Sequence, residues 1–150
     1  EQPWDGGQNK ALLESKGDFG QPLTFTSMPG VKPGHTVYLA FQGAGAMIDG
    51  NKRWSATDLK DGISGTVAVI EVSPERAVPW TKPADIDLSA PDVKTMLGPP
   101  PTKAGYPAVM FDGRVITLPA DIDIETLRKL AGFDNGVPPG YEPSFEESGF

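Results

Sequence analysis

The sequence predicts an α+β fold: a small, mainly antiparallel sheet, a helix near each end, and long Pro/Gly-rich loops. Three observations lead there. Residues 35–42 and 65–72 are rich in β-branched and apolar side chains, the composition of strands. An Asp-Gly pair divides two further apolar runs within 108–118, a hairpin signal. The 18 glycines and 16 prolines exceed a fifth of the 150 residues, so regular structure cannot dominate.

In chain order, residues 4–16 read as a short helix, with Asp5 as cap and Gly17 as stop. Residues 17–34 are irregular. His35 to Gln42 is a strand, and Gly43-Ala44-Gly45 opens a loop reaching Trp54. Ser55 to Gly62 is one helical turn, and Gly65 to Val72, the most apolar strand, belongs at the centre of the sheet. Residues 74–107 hold eight prolines and no period, which predicts a long extended wrap. The hairpin over 108–111 and 114–118 turns at Asp112 and Gly113, both expected at positive φ. Asp123 caps a closing helix over 124–131, with Glu125 in its first turn, Arg128 and Lys129 near its end and Gly132 as the C′ residue. Residues 133–150 form an acidic tail with three prolines and four aromatics, Phe133, Tyr141, Phe145 and Phe150.

Composition bounds the chemistry. One domain of this length buries roughly 68–70% of its unfolded surface, enough for a core without staples. Its apolar fraction is 38%, and its net charge of −7 argues against sequence-independent binding to nucleic acid or anionic lipid. The absence of cysteine excludes disulfides, thiolate-bound metals and thiol catalysis in this chain. The apolar runs are too short to span a bilayer as a helix.

Individual candidates favour structural roles. His35 is the single histidine and has no recognisable Ser and acid partners for a triad. Gly43 and Gly45 follow a strand, but Ile48 stands where a dinucleotide fingerprint needs its third glycine. Gly62-Ile63-Ser64-Gly65 has the wrong spacing for a nucleophile elbow. Asp49, Asn51, Asp58 and Asp61 are calcium candidates, although Lys60 occupies the position where a calcium hand requires Glu. Asp85 and Asp87 lie about 6–7 Å apart in extended chain, a spacing open to glycoside chemistry, yet solvated surface acids fit a Pro-rich loop better. Trp80 and Pro83 read as pins holding that loop to the core, with the Lys82 stem along apolar surface. No cofactor is expected.

The ordered run Pro3-Trp4-Asp5, Asn9-Lys10, Leu12-Leu13, Asp58-Leu59, Asp61-Gly62, Ser64 and Val69-Ile70-Glu71 is distinctive. It continues through Ala77-Val78-Pro79-Trp80-Thr81-Lys82-Pro83, Phe111-Asp112-Gly113 and Thr126-Leu127-Arg128. Over residues 2–131 the chain resembles the C-terminal half of a large planctomycete family of secreted, pilin-like proteins of unknown function. The resemblance implies a pilin-like β region and a family N-terminal half, with its prepilin-type leader and helix, lying outside this chain. Two departures stand out. Ile63 and Gly65 occupy positions where the family carries Thr and Asn, and Gly105-Tyr106-Pro107-Ala108 replaces a His and Asn before the last Asp-Gly. Any family site built on those polar groups is reduced here.

These readings converge on one β-rich domain, 1–132, and an extended strap, 133–150, that binds a partner through Phe133, Tyr141, Phe145 and Phe150. The expected role is a non-catalytic structural or accessory subunit of an extracellular or periplasmic assembly, homo- or hetero-oligomeric. The alternative is a module binding peptide, glycan or calcium through the Trp80 loop or the Asp49–Asp61 loop.

Overall fold

A computed structural model of the chain describes residues 3–13 and 28–133. It has the expected mixed α+β class, with two small sheets, mostly antiparallel, and three helices among the described residues. The larger sheet holds five strands: β2 (Tyr38–Gln42), β3 (Val67–Glu71), β5 (Ile86–Asp87), β6 (Gly105–Met110) and β7 (Val115–Pro119), in the order β5-β2-β3-β6-β7. Of these strand pairs, β2–β5 alone is parallel. The most apolar strand, β3, lies in the middle, as its composition predicts. The smaller sheet pairs β1 (His35–Thr36) with β4 (Val78–Pro79).

The strand expected over 35–42 is therefore two strands serving two sheets. Between them Val37 is fully buried and accepts a hydrogen bond from the Val72 amide at 2.9 Å. The segment 74–107 also departs from expectation. Beyond β4 and β5 it contains a 3-10 turn, Pro74–Arg76, and helix α2, Val93–Leu97, and β6 begins inside it at Gly105. Such short elements have no readable period, because non-local partners hold them.

Helix α1 covers Gly7–Leu13, and α3 covers Ile124–Ala131 as its cap signals predict. Asp123 Oδ1 accepts from the Thr126 amide at 2.8 Å, the expected N-cap bond. Gly132 does not end α3 in the left-handed region; its φ of −93° and ψ of 159° are extended. The chain consequently runs on into the body of the domain.

Strand alternation sorts the sheet into two faces. Leu39, Phe41, Val67, Ile70, Tyr106, Ala108, Met110, Ile116 and Leu118 point into a core completed by Leu97, Leu127 and Leu130 from the helices. A bulge between Val67 and Val69 keeps Val67 facing inward, opposite Met110. The outer face reads Ala40, Val69, Val109, Val115 across four successive strands, directly opposite one another in register. Beside that stripe lie Tyr38 paired with Glu71, and Pro107 paired with Thr117. Glu71 is the one charged group in these two rows.

Candidate functional site

The 43–63 loop, the hairpin tip and the end of α3 meet at an aromatic cleft. Gly43 and Gly45, with φ of +116° and +76°, turn the chain sharply after β2. This returns Ile48 to bond Phe41 and Gly43 at 3.1 and 2.9 Å. The loop thereby presents Trp54. Phe133 stands edge-on to Trp54, with centroids 4.9 Å apart, and edge-on to Phe111 at 5.6 Å. Its amide donates to the Gly45 carbonyl at 2.8 Å, and its carbonyl accepts from the Lys60 amide at 3.0 Å. Met47, Leu59 and Ile63 complete an apolar depression of about 510 Å³, with Lys52 on its rim. The Lys52 ammonium stands 5.4 Å from the Trp54 ring centroid. Trp54 Nε1 is buried with no acceptor among the described residues.

Phe133 was expected to anchor a partner. At 2% exposure it belongs instead to the chain's own interior, so the domain extends one residue past 132. Tyr141, Phe145 and Phe150 lie outside the described residues. Trp54, which no motif singled out, is the residue the sequence reading missed. Its signal is no more than a large aromatic in a polar loop that ends in a capped turn.

The acids are occupied by their own backbone. Asp49 accepts from the Gly45 amide and from Lys52. Asp58 closes a capping box with Ser55, accepting from its amide at 2.7 Å. Asn51 and Asp61 lie in exposed and half-buried turns. Among the described residues, no three acidic or histidine side chains gather as a metal-binding group. Asp85 and Asp87 are not merely solvated acids either. Asp85 Oδ1 accepts from the Ala40 amide of β2 at 3.0 Å, and Asp87 Oδ1 accepts from the amide and hydroxyl of Ser89.

In the Pro-rich segment other groups add to the expected pins. Trp80 is 37% exposed as a residue, and its backbone amide donates to the Gly34 carbonyl at 3.0 Å. Lys82 places its ammonium 5.6 Å from the Trp4 ring centroid, a cation–π contact, and Pro83 is exposed. The stronger pins are Arg128, which donates to the Leu88 and Ala90 carbonyls at 2.8 Å each, and the Tyr106 hydroxyl, which donates to Gly98 at 2.8 Å. Arg128 thus locks the wrap onto α3.

At the hairpin tip Asp112 and Gly113 form the predicted turn, with a different geometry. Gly113 alone has positive φ, +88°, and Asp112 does not. Met110 accepts from Gly113 at 3.0 Å and donates to Arg114 at 2.9 Å, which makes a three-residue loop with a glycine bulge. The Arg114 guanidinium holds Asp112 at 2.7 Å and the Ser64 carbonyl at 2.6 Å. His35 sits at the end of β1 with Nδ1 3.2 Å from the Pro33 carbonyl.

Against models of protein families, curated proteins and solved structures, the chain has no match. Its own residues therefore carry the functional reading.

Their electrostatics predict how stability follows pH. Five carboxyls are held below the usual range by hydrogen bonds to their charged form: Asp49 by Lys52 and Gly45, Asp58 by Ser55, Asp87 by Ser89, Asp112 by Arg114, and Asp123 by Thr126. Burial on the apolar sheet face pushes Glu71 up, against a hydrogen bond from Tyr38 that lowers it. A depressed carboxyl stabilises the fold above its unfolded value and loses that contribution as pH falls through the folded value. Glu71 has the opposite sign: the folded state carries its cost at neutral pH and sheds it as pH falls through the raised value. Urea midpoints for the wild type should therefore fall steeply only below the ordinary carboxylate range. Glu71→Gln should be more stable than wild type at neutral pH, with the gap closing on acidification. A gap that is constant with pH would contradict this assignment.

Proposed function

We propose that this chain is a non-catalytic structural or accessory subunit of an extracellular or periplasmic protein assembly, which it joins through its tail and its apolar surfaces. The observation that carries the reading is the outer sheet face. Antiparallel sheets that face water alternate apolar with polar side chains. Here one whole row of outward positions across four strands is apolar, Ala40, Val69, Val109 and Val115, with Val115 64% and Tyr38 of the adjacent row 44% exposed. Tyr38, Val69, Val109 and Val115 line a groove of about 250 Å³ on this face. A contiguous apolar face of this kind marks an interaction surface.

Two further features support the reading. Asp49, Asp58, Asp87 and Asp123 are each committed to a cap or turn with a backbone partner of its own. The tail after Phe133 joins prolines, which lower the entropy lost on docking, to aromatics, which anchor interfaces. The described helices include none long and apolar enough to cross a membrane.

The test compares the full chain with two variants by native mass and co-purification. One ends after Phe133, leaving the aromatic cluster intact; the other carries Val115→Glu on the outer face. Each should release the chain from its assembly while thermal unfolding stays cooperative. Assemblies of unchanged mass in both variants would defeat the proposal.

A further inference from the structure

Resting on that reading, we infer that the Trp54 cleft is the receiving site for the tail, and that the tail it takes comes from a second copy of this chain. The chain leaves the described body at the cleft itself, because Phe133 is hydrogen-bonded to both Gly45 and Lys60. Seventeen residues come after it, carrying Tyr141, Phe145 and Phe150, four acids (Asp134, Glu142, Glu146, Glu147) and neither Lys nor Arg. The cleft offers the matching surface: Met47 and Ile63 expose their apolar side chains beside Trp54 and Phe111, Lys52 stands on its rim, and Lys60 lines the adjoining depression that shares Lys52, Trp54 and Phe133. Its volume of about 510 Å³ suits an aromatic side chain with flanking backbone.

Sequence also favours a neighbour over the chain's own cleft. The first tail aromatic comes eight residues after Phe133, roughly 26 Å along an extended path. Pro138 and Pro139 stiffen that path toward an extended form. To reach the cleft whose wall contains residue 133, the same chain would have to reverse within those eight residues, whereas a second copy's cleft requires no reversal. Two copies that exchange tails satisfy both clefts across a two-fold axis, a low-cost route to a dimer.

Complementation between full-length variants tests this. Ile63→Glu spoils the cleft at an exposed position and keeps the tail; Phe145→Asp spoils the tail and keeps the cleft. In sedimentation velocity the wild type should be a dimer. Each variant alone should raise the dissociation constant at least about thirtyfold, the effect of losing an interface hot spot. An equimolar mixture should recover dimers joined by one intact tail–cleft contact. A dimeric Ile63→Glu overturns the inference, and if Phe145→Asp is monomeric the strap reading survives it. If both variants remain dimeric, the tail is not the strap and both readings fall. A wild type that stays monomeric at every concentration overturns the second-copy assignment while leaving assembly with a different protein intact.

Discussion

Phe133→Ala should cost about 3–5 kcal/mol of folding stability, the range for emptying a buried aromatic position. The side chain is 2% exposed and lies edge-on against both Trp54 and Phe111, so its removal leaves a cavity between three segments distant in sequence. Relaxation into that space is restricted. The 43–63 loop is fixed by its Gly43 turn, and the hairpin tip is tied down by Phe111 and Asp112 amides that donate to Thr66 and Ile63 at 3.0 and 3.1 Å. Urea unfolding followed by tryptophan fluorescence measures the loss directly. Phe133→Leu, which retains much of the volume, should recover a large part of it. A cost below about 1 kcal/mol, the level of an ordinary surface change, would show that Phe133 belongs to the tail and not to the core.

Gly105→Ala should be still more damaging, above about 4 kcal/mol, or prevent folding altogether. Gly105 opens β6 at φ +140° opposite Pro119, and an added Cβ would stand 1.9 Å from the Leu118 carbonyl oxygen and 2.9 Å from the Ala120 amide. Both obstacles are backbone, so no side-chain rotation relieves them. The residue is also held by Thr102, whose amide and hydroxyl both donate to the Gly105 carbonyl, at 3.3 and 2.9 Å. The strand start must therefore shift, and with it the β6–β7 register. Gly113→Ala is the matched control. It too has positive φ, +88°, but its Cβ would meet nothing within 4 Å, so the change should cost only the backbone strain of about 1–2 kcal/mol. Similar midpoints for the two variants would contradict the steric account.

Legibility in the sequence tracks the range of the interactions involved. Helix α3 was legible to its boundaries because Asp123, Glu125 and Arg128 act within a few residues of one another. β3 and the 108–118 hairpin were legible because alternation and an Asp-Gly turn are local signals. The break at Val37 was not, since it arises from β1 pairing with β4 more than 40 residues away. β5 and α2 were hidden for the same reason: two- and five-residue elements are held by β2 and by burial of Val93 and Leu97. The aromatic cleft was obscured by a reasonable inference about Gly132. A glycine after a helix usually closes it and sets the next segment apart. Here its extended conformation feeds Phe133 into the core, and the residue taken for a strap proves to be a wall of the cleft.

The central claim is that exposed apolar surface and an aromatic, proline-stiffened tail exist to join this chain to other polypeptides. The most direct measurement is the native mass of the particle recovered from cells through a tag on these 150 residues alone. The account predicts a particle heavier than the 15.9 kDa of one chain, which dissociates when residues 134–150 are removed. A species of single-chain mass before and after that removal, with the same unfolding midpoint, would contradict it.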